Sequence, residues 1–194
     1  NVSFNVNFKK KIMIRISVIA LLIVVCNAAA AQDYPKEITP AIAQKIKNDI
    51  EKKIPALRKE LEARDFMTKD EVEFSLDTFR LNQTTAYCID IDYSNYGMNK
   101  AVIRQTEGYD KLMNKYYNML MKLLKPEDKK VLVVAQKAWL AFRDAESELI
   151  NSMTKDEYSG GGTIQSNIAV GSYANMVEQR TIAIFNYYND VIKN

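Results

Sequence analysis

The sequence predicts an all-α protein, an antiparallel bundle of about five helices with a short Gly-rich loop before the last one. Three observations carry this. From Thr39 onward apolar residues recur at spacings of three and four, and no stretch alternates as a strand would. Only 6 Gly and 4 Pro punctuate the 194 residues, too few for a loop-rich or disordered chain.

The elements follow in order. Thr39-Pro40 reads as an N-cap followed by a first-turn proline, opening a helix toward Arg64 that Pro55 kinks or divides in two. Thr68 and Glu71 have the spacing of a capping box, so a helix runs from there to about Asp90. Asp92 to Gly97 reads as a turn. A long helix from Met98 to Leu124 ends near Lys125-Pro126, with Tyr109, Leu112, Met113, Tyr116, Leu120 and Leu123 as its core face. Glu127 to Ser152 forms the next, its acidic start suiting a helix N-terminus. Gly160-Gly161-Gly162 breaks the pattern, and Thr163 caps a final helix reaching at least Tyr188.

Before these helices stand Lys9, Lys10, Lys11 and Arg15, an apolar run from Ile16 to Val25, and the alanines 28–31. A basic start, a short apolar stretch and an Ala-x-Ala exit make a secretory signal peptide over residues 1–31, with residues 1–12 an upstream extension if Met13 is the true start. The run is too short to span a bilayer. The expected organisation is then a signal peptide, an N-terminal helical region over 32–95, and a helical domain over 96–194 packed with it as one unit.

Without that segment, which holds four of the 27 basic residues and no acidic ones, 23 basic residues face 24 acidic ones. This excludes the basic footprint of a nucleic-acid binder. Cys88 alone remains of the 2 cysteines, so no internal disulfide forms. Cys26 leaves one alternative to a periplasmic or secreted protein. If it is lipidated, the protein is anchored to the membrane, although Val25 fits a lipoprotein signal poorly.

The stretch from Ala135 to Glu146 contains the single Trp. Val131, Ala135, Ala138, Phe142, Ala145 and Leu149 form an apolar stripe, expected to face the core. Gln136 and Arg143 lie roughly 100–130° around the helix from it, at about 100° per residue, with Trp139 between. On the preceding helix Asp110, Asn114 and Tyr117 line up at i, i+4 and i+7. A short connection makes the two helices antiparallel, so the polar stripes are predicted to face each other, with an Asp110–Arg143 contact. Such a stripe either binds a partner or locks helix register, and Trp139 reads first as a core anchor.

At these residues the chain resembles the LprI-like lysozyme-inhibitor family, whose pattern joins Met-Asn, Asp-x-x-Leu-Asn-x-x-Tyr, Gln-x-Ala-Trp-x-x-Tyr-Arg-Asp, a Gly-Gly loop and Arg-Thr. Here these are Met98-Asn99; Asp110, Met113, Asn114 and Tyr117; Gln136, Ala138, Trp139, Phe142, Arg143 and Asp144; Gly160 to Gly162; and Arg180-Thr181. The match covers about half the chain, from Met98 to Ile184. The resemblance implies an exported bacterial helical domain and a protein partner such as lysozyme. It assigns Asp110, Asn114, Tyr117, Gln136, Trp139, Arg143, Asp144 and Arg180 to a binding or structural stripe. Family members often carry cysteines at positions that fall here on Ala101, Ser147 and Ser172, so any such stapling is absent.

An enzyme has little to build on. The chain has 0 His, no nucleophile motif and no metal signature, and Gly160-Gly161-Gly162 lacks the Gly-Lys-Ser/Thr ending of a phosphate loop. Carboxylate chemistry at Glu107 and Asp110 would require raised pKa values. No cofactor, metal or nucleic acid is expected. The favoured class is an envelope binding module, with Asp90, Asp92, Tyr93 and Tyr96 as the surface offered to a cationic lysozyme. The alternative is a structural or assembly module of the bacterial envelope.

Overall fold

A computed structural model describes residues 34–193, and the expected signal peptide lies outside the described residues. Residues 35–194 form one compact unit. The described residues contain helices and no strand: α1 (Pro40–Glu51), α2 (Ile54–Glu62), α3 (Lys69–Ile91), α4 (Asn95–Leu123), α5 (Pro126–Met153), the single turn α6 (Asp156–Ser159) and α7 (Ile164–Lys193). The all-α bundle is as the periodicity predicts. Two segments exceed the expected five because Pro55 divides the first helix and a short turn precedes the glycines.

The caps work as their chemistry dictates. Thr39 Oγ1 accepts from Ile42 N, and Thr68 with Glu71 forms the full capping box. Ser94 caps α4 by accepting from Gly97 N, which starts that helix at Asn95, three residues before the expected Met98. A side chain at Gly97 would collide with the Asp92 carboxylate folded against it.

Packing grows outward from α4. Its buried face holds Tyr109, Leu112, Met113, Tyr116 and Leu120, as expected, but Leu123 is exposed because it closes the helix beside the Pro126 turn. Phe185 of α7 stacks on Phe74 of α3 at 4.0 Å between ring centroids, and Tyr116 meets both edge-on. Thr181, with no exposed surface, places its hydroxyl 3.1 Å from Tyr109 O and 2.8 Å from Val177 O, pinning α7 to α4. The contacts Asn95–Thr163, Asn99–Ser166 and Tyr109–Thr181 rise together in number, so α4 and α7 run parallel, a departure from a wholly antiparallel bundle. By contrast Asn82–Gln105 and Asp77–Lys115 make α3 and α4 antiparallel. Between them Gly108 leaves room for the Leu81 side chain.

The start of α3 is fastened to the end of α7. Tyr188 donates to Asp70 Oδ2 at 2.6 Å, while Asn189 and Lys193 donate to Glu71 Oε1. The N-terminal helices add a second layer on α3. Ile46 and Ile50 pack with buried Cys88 and Ala101, and Ile54 and Leu61 pack with Val72 and Leu76. Ion pairs Arg80–Glu51 and Arg58–Glu73 close its edge. Among the described residues no helix is long and apolar enough to cross a membrane.

Candidate functional site

Helix α5 carries the densest part of the motif, and its orientation decides what the motif does. The apolar stripe expected in the core faces outward. Val131, Phe142 and Leu149 are 66%, 55% and 52% exposed, and Ala135, Ala138 and Ala145 are exposed with them. The inner face is formed by Leu132, Gln136, Trp139, Arg143, Ser147 and Ile150, of which only Leu132 is buried. The physical reason is area: the outer stripe is half alanine, whereas Leu132 and Trp139 bring large surfaces to the main core. Gln136 finds partners across the interface, while Arg143 and Ser147 are satisfied within α5, which lowers the cost of turning them inward.

Those partners come from α7 and α4. Arg180 Nε donates to Gln136 Oε1 at 3.0 Å, and Gln136 Nε2 reaches Met113 Sδ at 3.6 Å, so one amide bridges both neighbouring helices. Two guanidinium groups lie near the Trp139 ring, Arg143 at 5.5 Å and Arg180 at 5.8 Å, and Arg143 also lies 5.8 Å from the Tyr173 ring. Desolvation by burial lowers the Arg180 pKa, and its Nη2 is buried without a hydrogen-bond partner. Gln136, Trp139 and Arg180 therefore link α5 to its neighbours α4 and α7.

Asp110 and Arg143 border one cleft but do not pair. Arg143 donates from Nε and Nη2 to Asp144 Oδ1, next to it in sequence, while Asp110 accepts from Asn114 Nδ2 within α4. Asn114 is exposed, and Tyr117 packs with Trp139 against the main core. The cleft between them, about 780 Å³, lies among α4, α5 and α7. Ile103, Ile150 and Tyr173 give it an apolar lining, and Glu107, Lys111 and Arg143 add charges of both signs. Its volume suits a small ligand or an inserted side chain. Tyr173 and Lys111 escaped the sequence reading. Tyr173, Val177 and Arg180 sit at i, i+4 and i+7 on α7, a pattern that marks a shared face without naming its neighbour.

The acidic turn divides differently. Asp90, Tyr93 and Tyr96 are exposed, with Lys100 Nζ 5.5 Å from the Tyr96 ring centroid. Asp92 is half-buried, and its Oδ1 accepts from both the amide and the hydroxyl of Ser94. It holds the turn and the helix start. Asn95 Nδ2 donates to Thr163 Oγ1 at 2.7 Å, which sets the loop after the glycines beside this turn. Among the described residues no group of His, Cys, Asp and Glu could hold a metal ion.

Compared with known proteins, residues 88–183 match the family described as Lysozyme inhibitor LprI. That span includes every motif residue from Met98 to Thr181, together with the cleft and the acidic turn. No curated protein and no solved structure matches the chain.

Proposed function

From this LprI match, we propose that the chain is an exported envelope protein that binds a lysozyme-type muramidase and blocks it, without catalysing a reaction. The family match over residues 88–183 carries the reading. The contact we favour is the exposed part of the turn, Asp90, Tyr93 and Tyr96, with the connection from α6 to α7, at whose start Tyr158 of α6 is also exposed. Carboxylates and aromatic rings on one surface suit a cationic protein whose cleft is lined for sugar rings. The inner stripe of α5 is left to the fold, because Gln136 and Arg180 are already bonded to each other there.

The test is purified protein titrated against several lysozymes acting on a cell-wall substrate. Inhibition is expected, and Asp90→Lys with Tyr96→Ala should abolish it while the far-UV circular dichroism stays unchanged. Absence of inhibition of every lysozyme at high micromolar protein would overturn the reading. A second reading, a structural or assembly module of the envelope, is favoured by the apolar outer face of α5, a surface that asks for a partner.

A further inference from the structure

The outer face of α5 is continuous and selective. Val131, Val134, Ala138, Phe142, Ala145 and Leu149 fall within about 120° of arc, at about 100° per residue, with no charge among them for about 27 Å of helix. With Ala135 beside Val134, the series Val131, Ala135, Ala138, Phe142, Ala145 and Leu149 advances by alternating four and three residues, the spacing of a helix–helix seam. Lys130, Lys137, Asp144 and Glu148 border one side of it, all exposed, basic in the first half and acidic in the second. Lys130, Lys137 and Glu148 have no ion pair among the described residues.

We propose that this face is a dimer interface and that its occupant is α5 of a second copy, laid antiparallel. In an antiparallel pair the same flank of each helix meets across the seam. A two-fold axis near Leu140 sets Lys137 of one copy beside Asp144 of the other, and Lys130 beside Glu148. Sizes fit the same register: Phe142 faces Ala138, Ala135 faces Ala145, and Val131 faces Leu149. Each bulky side chain fills the space opposite a small one, or meets one of moderate size at the ends. A parallel pair would instead set this charged flank against the opposite flank of its partner, the side that turns toward Trp139 and the bundle, and would leave these lysines and carboxylates without each other. An interface of one helix against one helix is small, so the dimer forms at roughly micromolar concentration.

Sedimentation equilibrium of the purified chain over a range from about 1 to 200 µM tests this, with circular dichroism to verify the fold of each variant. A reversible monomer–dimer equilibrium is expected, and Phe142→Glu should raise its Kd at least about tenfold. Lys130→Glu and Glu148→Lys should each weaken it several-fold, and the two together should restore it. These positions are too far apart on one helix to meet within a copy, so recovery reports a contact between copies. A monomer at every concentration overturns the proposal. So does a dimer indifferent to Phe142→Glu, or one in which the double exchange fails to recover affinity.

Discussion

Helices α5 and α7 are nearly equal in length, 28 and 30 residues, yet they hold opposite places in the molecule. Val177, Thr181, Ile184, Phe185, Tyr188 and Asn189 of α7 are all buried, and α7 touches α4 along most of its course. Only Leu132 of α5 is buried, and a cleft opens beneath its second half. Thus α7 is held by close-packed aromatic and aliphatic surface, α5 by a few directional contacts through Gln136, Trp139 and Arg143. Residues that look most distinctive in the sequence sit on the less buried of these two helices. The difference predicts that α5 can loosen while the α3–α4–α7 core stays folded.

The largest effect should come from the core. Phe185→Ala removes the ring that stacks on Phe74 and meets Tyr116, and about 3–5 kcal/mol of stability should go with it in urea unfolding. The whole bundle should melt as one transition. A loss below about 1 kcal/mol would show that the aromatic cluster is no more important than the α5 contacts.

Trp139→Ala comes second. The ring is half-buried, so the cost should be about 1–3 kcal/mol, less than for a fully buried tryptophan. The sharper signature is local. Amide exchange should accelerate across α5 and stay slow in α4 and α7. Uniform acceleration would erase the contrast between the two helices.

Alkaline pH probes the same contrast without mutation. Burial pushes Tyr109 up to about 12, with nearby Glu178 adding to the shift, and burial with the hydrogen bond to Asp70 does the same for Tyr188. Tyr116 is raised as well, again chiefly by burial. In the unfolded chain these hydroxyls ionise near the ordinary value of about 10. Their contribution to stability is therefore complete below about pH 10 and is lost as pH rises toward 12. All three are on α4 and α7. The melting temperature should fall over this window, and Tyr188→Phe should make the fall shallower.

The core was legible in the sequence for a physical reason. On α4 one face is strongly apolar and the other strongly polar, so periodicity names the inside. The capping box at Thr68 and Glu71 and the break at Pro55 were equally readable, because local chemistry decides them. On α5 two continuous stripes compete, and periodicity says which residues share a face without saying which face turns inward. That choice depends on Arg180 and Tyr173, far away in the chain, which come to the polar stripe and satisfy or stack on it. The cleft was illegible for the same reason, since it takes residues from three helices. In the acidic turn the sequence grouped four residues, whereas local hydrogen bonds separate Asp92, which holds the turn, from the exposed Asp90, Tyr93 and Tyr96.

Arg143→Ala should have the smallest effect, and its size distinguishes two ways of holding α5. A buried pair with Asp110 would make the loss about 3–5 kcal/mol, because a carboxylate would be left without its partner in a dry site. The actual partner is Asp144, whose side chain is 65% exposed, and such a pair contributes only about 0–1 kcal/mol. What remains is the position of the guanidinium near Trp139 and Tyr173, worth about 0.5–1 kcal/mol at a site open to a cleft. The expected total is about 1 kcal/mol in urea unfolding, with little dependence on salt, since the stacking contribution is close-range. Arg143→Lys should recover only part of it, because an ammonium cannot lie flat against the two rings. A loss above about 3 kcal/mol would mean that charge holds α5 in place, and the contrast with α7 would then be one of polarity alone.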